Sequence, residues 1–196
     1  AFSTMKDDDQ VELNSKVFEY LGAISVLSLV LVYPLIPYIF KILFVGDYIS
    51  GYIVAPYLYL SPLLLMLFQV AANQFLVIKK SYLATISLSL GAIINIILNF
   101  VLIRKMGIEG AAIATLIGYF ITIITVMILS YQYKCMRYSK RIIMLLVLIP
   151  IYFSIQRFLL LDKIFMELLF MVVSCTVILM LYKNEMKSLF RKRLKQ

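Results

Sequence analysis

The sequence predicts an all-α fold, a polytopic transmembrane helical bundle, and three observations predict it. Hydrophobic residues make up 63% of the 196-residue chain and charged residues only 15%, with a mean hydropathy of +0.98. Soluble domains run nearer half apolar and a quarter charged, so a water-soluble fold of this length could not hide so much apolar surface. The apolar residues also fall in long runs of about twenty. That is what a helix rising about 1.5 Å per residue needs to cross a hydrocarbon layer about 30 Å thick. Finally, the 19 Lys and Arg residues sit in short clusters between these runs. Such clusters suit an anionic membrane surface and not nucleic acid, in spite of a net charge of +9.

Six spans follow. Four, at about 20–43, 49–78, 81–103 and 110–133, contain a full crossing length without charge. Two more, at about 142–161 and 164–182, contain Arg157 and Glu167. The connections are short, so neighbouring helices run antiparallel as hairpins. Pro34 and Pro37 remove backbone donors in the outer half of the first span and predict a kink or an end there. The 49–78 run exceeds one straight crossing, so its start is expected along the interface, turning inward near Pro56 or Pro62.

The ends read differently from the middle. Residues 1–18 form a segment ahead of the first span, with Asp7, Asp8, Asp9 and Glu12 in an expected solvated cytoplasmic loop. Those acids lack the Gly that a calcium loop needs at its turn. A signal peptide would begin basic and then turn apolar, so this opening reads as the tail of a longer chain. With six spans, both termini share a side with the loops at Lys79/Lys80 and 134–141. That side carries 14 of the 19 basic residues, against Lys41, Arg104, Lys105, Arg157 and Lys163 on the other. The positive-inside rule makes the richer side cytoplasmic. The basic tail 183–196 then lies against the inner leaflet as a topology anchor, and Tyr20, Tyr48, Tyr82, Tyr131 and Tyr182 serve as interfacial aromatics.

Residue types narrow the chemistry. The chain has no His and no Trp, which removes imidazole catalysis and the commonest metal ligand; no metal or cofactor is expected. Cys135 and Cys175 fall at a span edge and inside a later span, so no disulfide framework is expected. Ser87, Gly91, Asn95 and Asn99 recur every four residues and form one polar stripe on a helix. An unsatisfied amide in lipid costs several kcal/mol, so the stripe must face protein or a water-filled cavity. It reads either as interhelical hydrogen bonding or as a cavity wall that meets sugar hydroxyls. Gln69, Asn73 and Gln74 invite the same two readings. Gly110, Ala114 and Gly118 make a small-xxx-small row, which lets transmembrane backbones approach closely. Arg157 and Glu167 lie at similar depth about the turn Asp162-Lys163. They are expected to pair across the last hairpin, or else to snorkel separately to the interface.

The run Asn95-Ile-Ile-Leu-Asn99 through Gly107-Ile-Glu-Gly110-Ala-Ala-Ile-Ala-Thr115 resembles the signature of bacterial oligosaccharide and polysaccharide flippases. These belong to the superfamily that also holds the multidrug and toxin extrusion transporters. Leu43-Phe44-Val45-Gly46-Asp47-Tyr48 is similar to a turn of the same family, and Tyr59-Leu-Ser-Pro62 through Gln74-Phe-Leu-Val-Ile-Lys79-Lys80 fits in order and spacing. The resemblance is specific over about residues 1–135 and generic afterwards. It implies a pump of about twelve to fourteen spans in two lobes around a central cavity. This chain would supply a four-span part of the second lobe (19–135) without that lobe's start, two additional spans (136–182) and the tail, and would need the missing N-terminal lobe as a partner.

Three functions follow as expectations. The first is export of lipid-linked oligosaccharide across the bacterial plasma membrane, with Gln69, Asn73, Asn95 and Asn99 as cavity candidates. The second is cation-coupled drug antiport, which calls for intramembrane acids where only Glu167 is evident. The third is a membrane enzyme such as a glycan polymerase or acyltransferase. That function needs a positioned acid, base or nucleophile, and no carboxylates cluster on the outer side to supply one.

Overall fold

The computed structural model describes residues 7–159 and 163–183, and these are helical almost throughout, with no strand among them. Six helices follow in order: α1 (Asp7–Val32), α2 (Ile36–Leu43), α3 (Ala55–Val77), α4 (Tyr82–Gln132), α5 (Lys140–Phe158) and α6 (Ile164–Leu181). Three helical stretches are long and apolar enough to cross a membrane: Asp8–Leu43, Ala55–Val77 and Tyr82–Gln132. Phe100, on α4, and Met180, on α6, are each 68% exposed, and the bundle's outer surface carries many such side chains. Lipid accounts for that exposure as water cannot.

The first helix starts earlier than the sequence suggests. The acidic residues expected in a loop are already the first turns of α1, held by the Lys16–Glu12 pair one turn apart and by Ser15 Oγ donating to the Val11 carbonyl. Asn14 Nδ2 also donates to Gln74 Oε1 at 2.8 Å, which ties this end of α1 to the end of α3. At its other end, Pro34 and Pro37 do break the helix. A 3-10 turn at Tyr33–Leu35 separates α1 from α2, with Pro34 and Pro37 in the first positions of the two new segments, where a missing N–H costs least. The next run starts as a 3-10 segment, Gly46–Ile53, and α3 begins at Ala55 with Pro56 in its first turn.

α4 spans 51 residues, far more than one crossing, and it is folded back on itself at one residue. Gly107 has φ 57° and ψ −132°, a conformation that side chains with a Cβ rarely adopt. Residues 82–106 and 108–132 therefore form two arms. Asn95 Nδ2 donates to Thr115 Oγ1 at 3.2 Å, and a Cβ on Gly118 would lie 2.9 Å from the Gly91 carbonyl oxygen. These contacts place the arms antiparallel, in close contact. The sequence reading has a loop at 104–109 here, and the chain uses a single glycine instead.

The core joins α1, α3, the second arm of α4, and α5 through Phe18, Leu29, Leu64, Phe75, Ile123 and Leu145, each fully buried. α3 packs along α4, and α1 lies against α3, α5 and α6. At one end of the bundle, Arg137 Nη2 bonds Asp8 at 3.0 Å, Lys80 Nζ sits 4.2 Å from the Tyr133 ring centre, and Arg141 stacks over Tyr182 at 5.7 Å. The Lys79/Lys80 turn, the 133–139 loop, the start of α1 and the end of α6 thus share that end.

Two turns at this end have the same construction. Lys79 and Lys134, with φ 57° and 56°, follow the last residues of α3 and α4 in left-handed conformation. Lys80 N–H donates to the Phe75 carbonyl and Lys79 N–H to Leu76; Cys135 N–H donates to Ser130 and Lys134 N–H to Tyr131. Both are Schellman closures, in which Gly is the usual left-handed residue.

Candidate functional site

The polar stripe of the first α4 arm lies against the second arm. Ser87 is fully buried and donates to its own helix at the Leu83 carbonyl. Gly91 meets the second arm at Gly118 and Thr122, and a Cβ there would lie 2.5 Å from the Gly118 carbonyl oxygen. Asn95 and Asn99 stay half-exposed. Asn99 Nδ2 donates to Asn95 Oδ1 at 3.0 Å, Asn95 Nδ2 donates to Thr115 Oγ1, and Thr115 Oγ1 donates to the Ala111 carbonyl. Every step of this chain passes a hydrogen bond in one direction. Asn99 Oδ1 ends it as a buried acceptor without a hydrogen-bond partner.

A cleft of about 310 Å³ opens beside this chain, lined by Gly91, Asn95, Thr115, Gly118, Tyr119 and Thr122 among others. No side chain that lines it carries a formal charge. Amides and hydroxyls held at fixed positions in apolar surroundings can bind hydroxyl groups but cannot take up or release a coupling proton near neutral pH. Gly110, Ala114 and Gly118 lie at the contact between the arms: all three are buried, and Gly110 lies on the Leu102 carbonyl. Close approach of the arms and a polar wall thus come from the same stretch.

The other cavity candidates are elsewhere. Asn73 lines a separate cleft of about 610 Å³ with Gln10, Asn14, Val70, Gln74 and Val77, between α1 and α3 at the lysine-rich end. Gln69 is exposed and lines neither cleft. The four predicted residues therefore do not share one pocket. Asn95 is in one cleft, Asn73 is in another, and Asn99 lines a third, of about 310 Å³, with Phe100 and Arg104.

The expected pairing of Arg157 with Glu167 needs correction. Arg157 Nε donates to Glu109 Oε1 at 2.8 Å and its Nη2 to Glu109 Oε2 at 3.0 Å, a two-pronged contact between α5 and the start of the second α4 arm. Tyr57 OH adds a bond to Glu109 Oε1 at 3.2 Å from α3. Around them pack Tyr33, Tyr152 and Phe153, with Tyr57 stacked on Phe153 at 5.1 Å and Tyr33 edge-on to Tyr152 at 5.7 Å. Glu167 is buried on α6 and has its own interaction. The sequence reading treats Glu109 as a loop charge. Folding the chain at Gly107 brings it to the depth of Arg157, and that reversal is the signal that would have found it. The turn residue Asp162 and the tail beyond residue 183 lie outside the described residues.

Cys135 and Tyr138 follow α4 in the 133–139 loop, and both are well covered. Burial pushes the Cys135 thiol up, against a smaller opposing effect of the Lys80 charge. Burial also pushes the Tyr138 phenol up to about 12, although its bond to Ser130 Oγ works the other way. Among the described residues no cluster of three metal-binding side chains occurs. Compared with family models, curated proteins and solved structures, the chain matches none.

Proposed function

We propose that this chain is a six-span portion of an exporter that carries lipid-linked oligosaccharide across the bacterial plasma membrane. Both chain ends face the cytoplasm in this reading, and a second lobe completes the transport path. The single observation that carries it is the Asn99–Asn95–Thr115 row. It is a polar wall beside a charge-free cleft, in a bundle whose outer surface is largely apolar, and its Asn99 end, in the neighbouring cleft with Arg104, holds a buried carbonyl oxygen with no hydrogen-bond partner among the described residues. Leaving such an acceptor empty costs about 1–3 kcal/mol, and a sugar hydroxyl would satisfy it. Sidedness rests on the clustering of Lys79, Lys80, Lys134, Arg137, Lys140 and Arg141 at one end. The drug-antiport alternative needs a titrating acid in the path; Glu109 is engaged by Arg157 and Tyr57, and neither it nor the buried Glu167 lines the Asn95 cleft.

The test is binding of a fluorescent polyprenyl-linked oligosaccharide to the purified chain in nanodiscs, against the same lipid without its glycan. The expected result is preference for the glycosylated lipid, lowered roughly five- to tenfold by Asn95→Leu with Asn99→Leu, at about 0.6 kcal/mol per polar contact. Equal binding of the two lipids would overturn the reading.

A further inference from the structure

A further cleft, of about 260 Å³, lies between α1, α5 and α6, and the transport reading makes no use of it. Its walls are apolar, with Val26, Leu145, Ile149, Val173, Val177 and Ile178 among them. Ile151, Val173 and Val177 are 48%, 50% and 45% exposed, so the cleft opens sideways towards lipid. The stacked rings of Tyr152 and Phe170, 5.4 Å apart, stand at its far end. Along α5 it extends from Leu145 to Ile155, about 15 Å at 1.5 Å per residue. That is the depth of one leaflet, half the hydrocarbon layer of about 30 Å.

The charge sits at one end of this cleft. One turn beyond Leu145 and Ile178 come Arg141 and Tyr182, stacked at 5.7 Å, with Glu19 4.0 Å from the Arg141 guanidinium. Flanking them, Lys140 starts α5 and Lys183 follows α6, and both are exposed. A hydrocarbon slot one leaflet deep, with two exposed ammonium groups at its mouth, matches a lipid with a negative headgroup. We propose that this cleft binds an anionic phospholipid of the leaflet on the lysine-rich side. An acyl chain lies between α5 and α6 against α1, and the phosphate rests between Lys140 and Lys183.

The chain has no Trp, so a single introduced Trp reports on its own surroundings. Met144→Trp places the reporter one turn from Lys140, and Ile97→Trp places a control on the exposed face of the first α4 arm. Each variant of the whole chain is reconstituted in phosphatidylcholine vesicles doped with acyl-brominated phosphatidylglycerol or acyl-brominated phosphatidylcholine. At Met144→Trp, the phosphatidylglycerol should half-quench at a mole fraction about tenfold lower than the phosphatidylcholine. At Ile97→Trp the two should quench alike. Adding Lys140→Gln and Lys183→Gln should remove the preference while leaving the helical circular dichroism unchanged, since both lysines are exposed. Equal quenching by both lipids at Met144→Trp, the same preference at both reporters, or a preference that survives the double lysine variant would each overturn the proposal.

Discussion

Arg157 on α5 and Glu109 on the second α4 arm meet through two parallel hydrogen bonds of 2.8 and 3.0 Å, although 48 residues separate them. The planar guanidinium matches the carboxylate, so both donors are used and the geometry is fixed. Their side chains are 23% and 14% exposed, which makes this the most sheltered ion pair between helices among the described residues. It joins α5 to the α4 hairpin at the end of the bundle opposite Lys80 and Arg137.

A double-mutant cycle measures that connection. Arg157→Met and Glu109→Gln should each destabilise the folded chain in detergent, and together cost less than the sum, with a coupling of about 1–2 kcal/mol. The same cycle on Arg157 and Glu167 should be close to additive. Thermal unfolding followed by helical circular dichroism provides both values, and strict additivity for Arg157 with Glu109 would deny the pair.

Gly118 should tolerate almost nothing larger. A Cβ there would lie 2.9 Å from the Gly91 carbonyl oxygen and 3.0 Å from the Asn95 Cβ. Gly118→Leu should therefore separate the two arms and cost about 1–3 kcal/mol through overpacking. Loss of the Asn95–Thr115 bond should accompany it, so lipid-linked glycan binding should fall along with stability. An unchanged thermal midpoint would contradict the close approach.

Gly107 makes a different demand, since nothing stands within 4 Å of the Cβ it lacks. Its requirement is conformational. Gly107→Ala should lose about 1–3 kcal/mol through backbone strain alone, with no steric contact to relieve. A second-site change nearby should not rescue it, and rescue by trimming a neighbouring side chain would show that the cause is crowding.

Sidedness is best read from engineered cysteines in a Cys135→Ser background. The native Cys135 is only 6% exposed, and burial raises its thiol, so little thiolate is present at neutral pH. It should alkylate slowly from either side, faster as pH rises. Lys140→Cys should react with an impermeant maleimide only after cells are opened, and Lys105→Cys should react in intact cells. The reverse pattern would invert the orientation.

Alkaline unfolding should show the Tyr138 phenol. Its hydroxyl lies 2.7 Å from Ser130 Oγ, and its ring is edge-on to Phe18 at 5.2 Å. The folded state keeps the proton up to about 12, whereas the unfolded chain releases it near the ordinary value of about 10. Its contribution is fully present below about pH 10 and is lost as pH rises from there towards 12. Thermal midpoints should fall more steeply over that window in the native chain than in Tyr138→Phe.

Much of this arrangement is legible in the residues alone. The four-residue spacing of Ser87, Gly91, Asn95 and Asn99 puts a polar line on one helix face, and the structure has it there. Pro34 and Pro37 announce the break that follows Val32. What stays hidden depends on how segments meet. Hydropathy separates 81–103 from 110–133 by the charges at Arg104, Lys105 and Glu109, but it cannot say that helix continues to within one residue of the reversal. Glu109 consequently looks like a loop charge until Gly107 folds it onto Arg157. Gln69 and Asn73 carry the same amide chemistry as Asn95, and only packing assigns Asn73 and Asn95 to different clefts. The early start of α1 depends on partners 60 or more residues away, Gln74 and Arg137.

The left-handed lysines at 79 and 134 combine two roles that other positions keep apart. Their backbones close α3 and α4 in a conformation that favours glycine, and their ammonium groups stand at the lysine-rich end. A glycine in either place would release strain on the order of 1 kcal/mol and would leave each closing hydrogen bond intact. It would also remove a positive charge from the lysine-rich end, the side proposed above to face the cytoplasm. At these two positions the firmest turn and the proposed orientation make opposite demands, and lysine is the residue that suits the orientation.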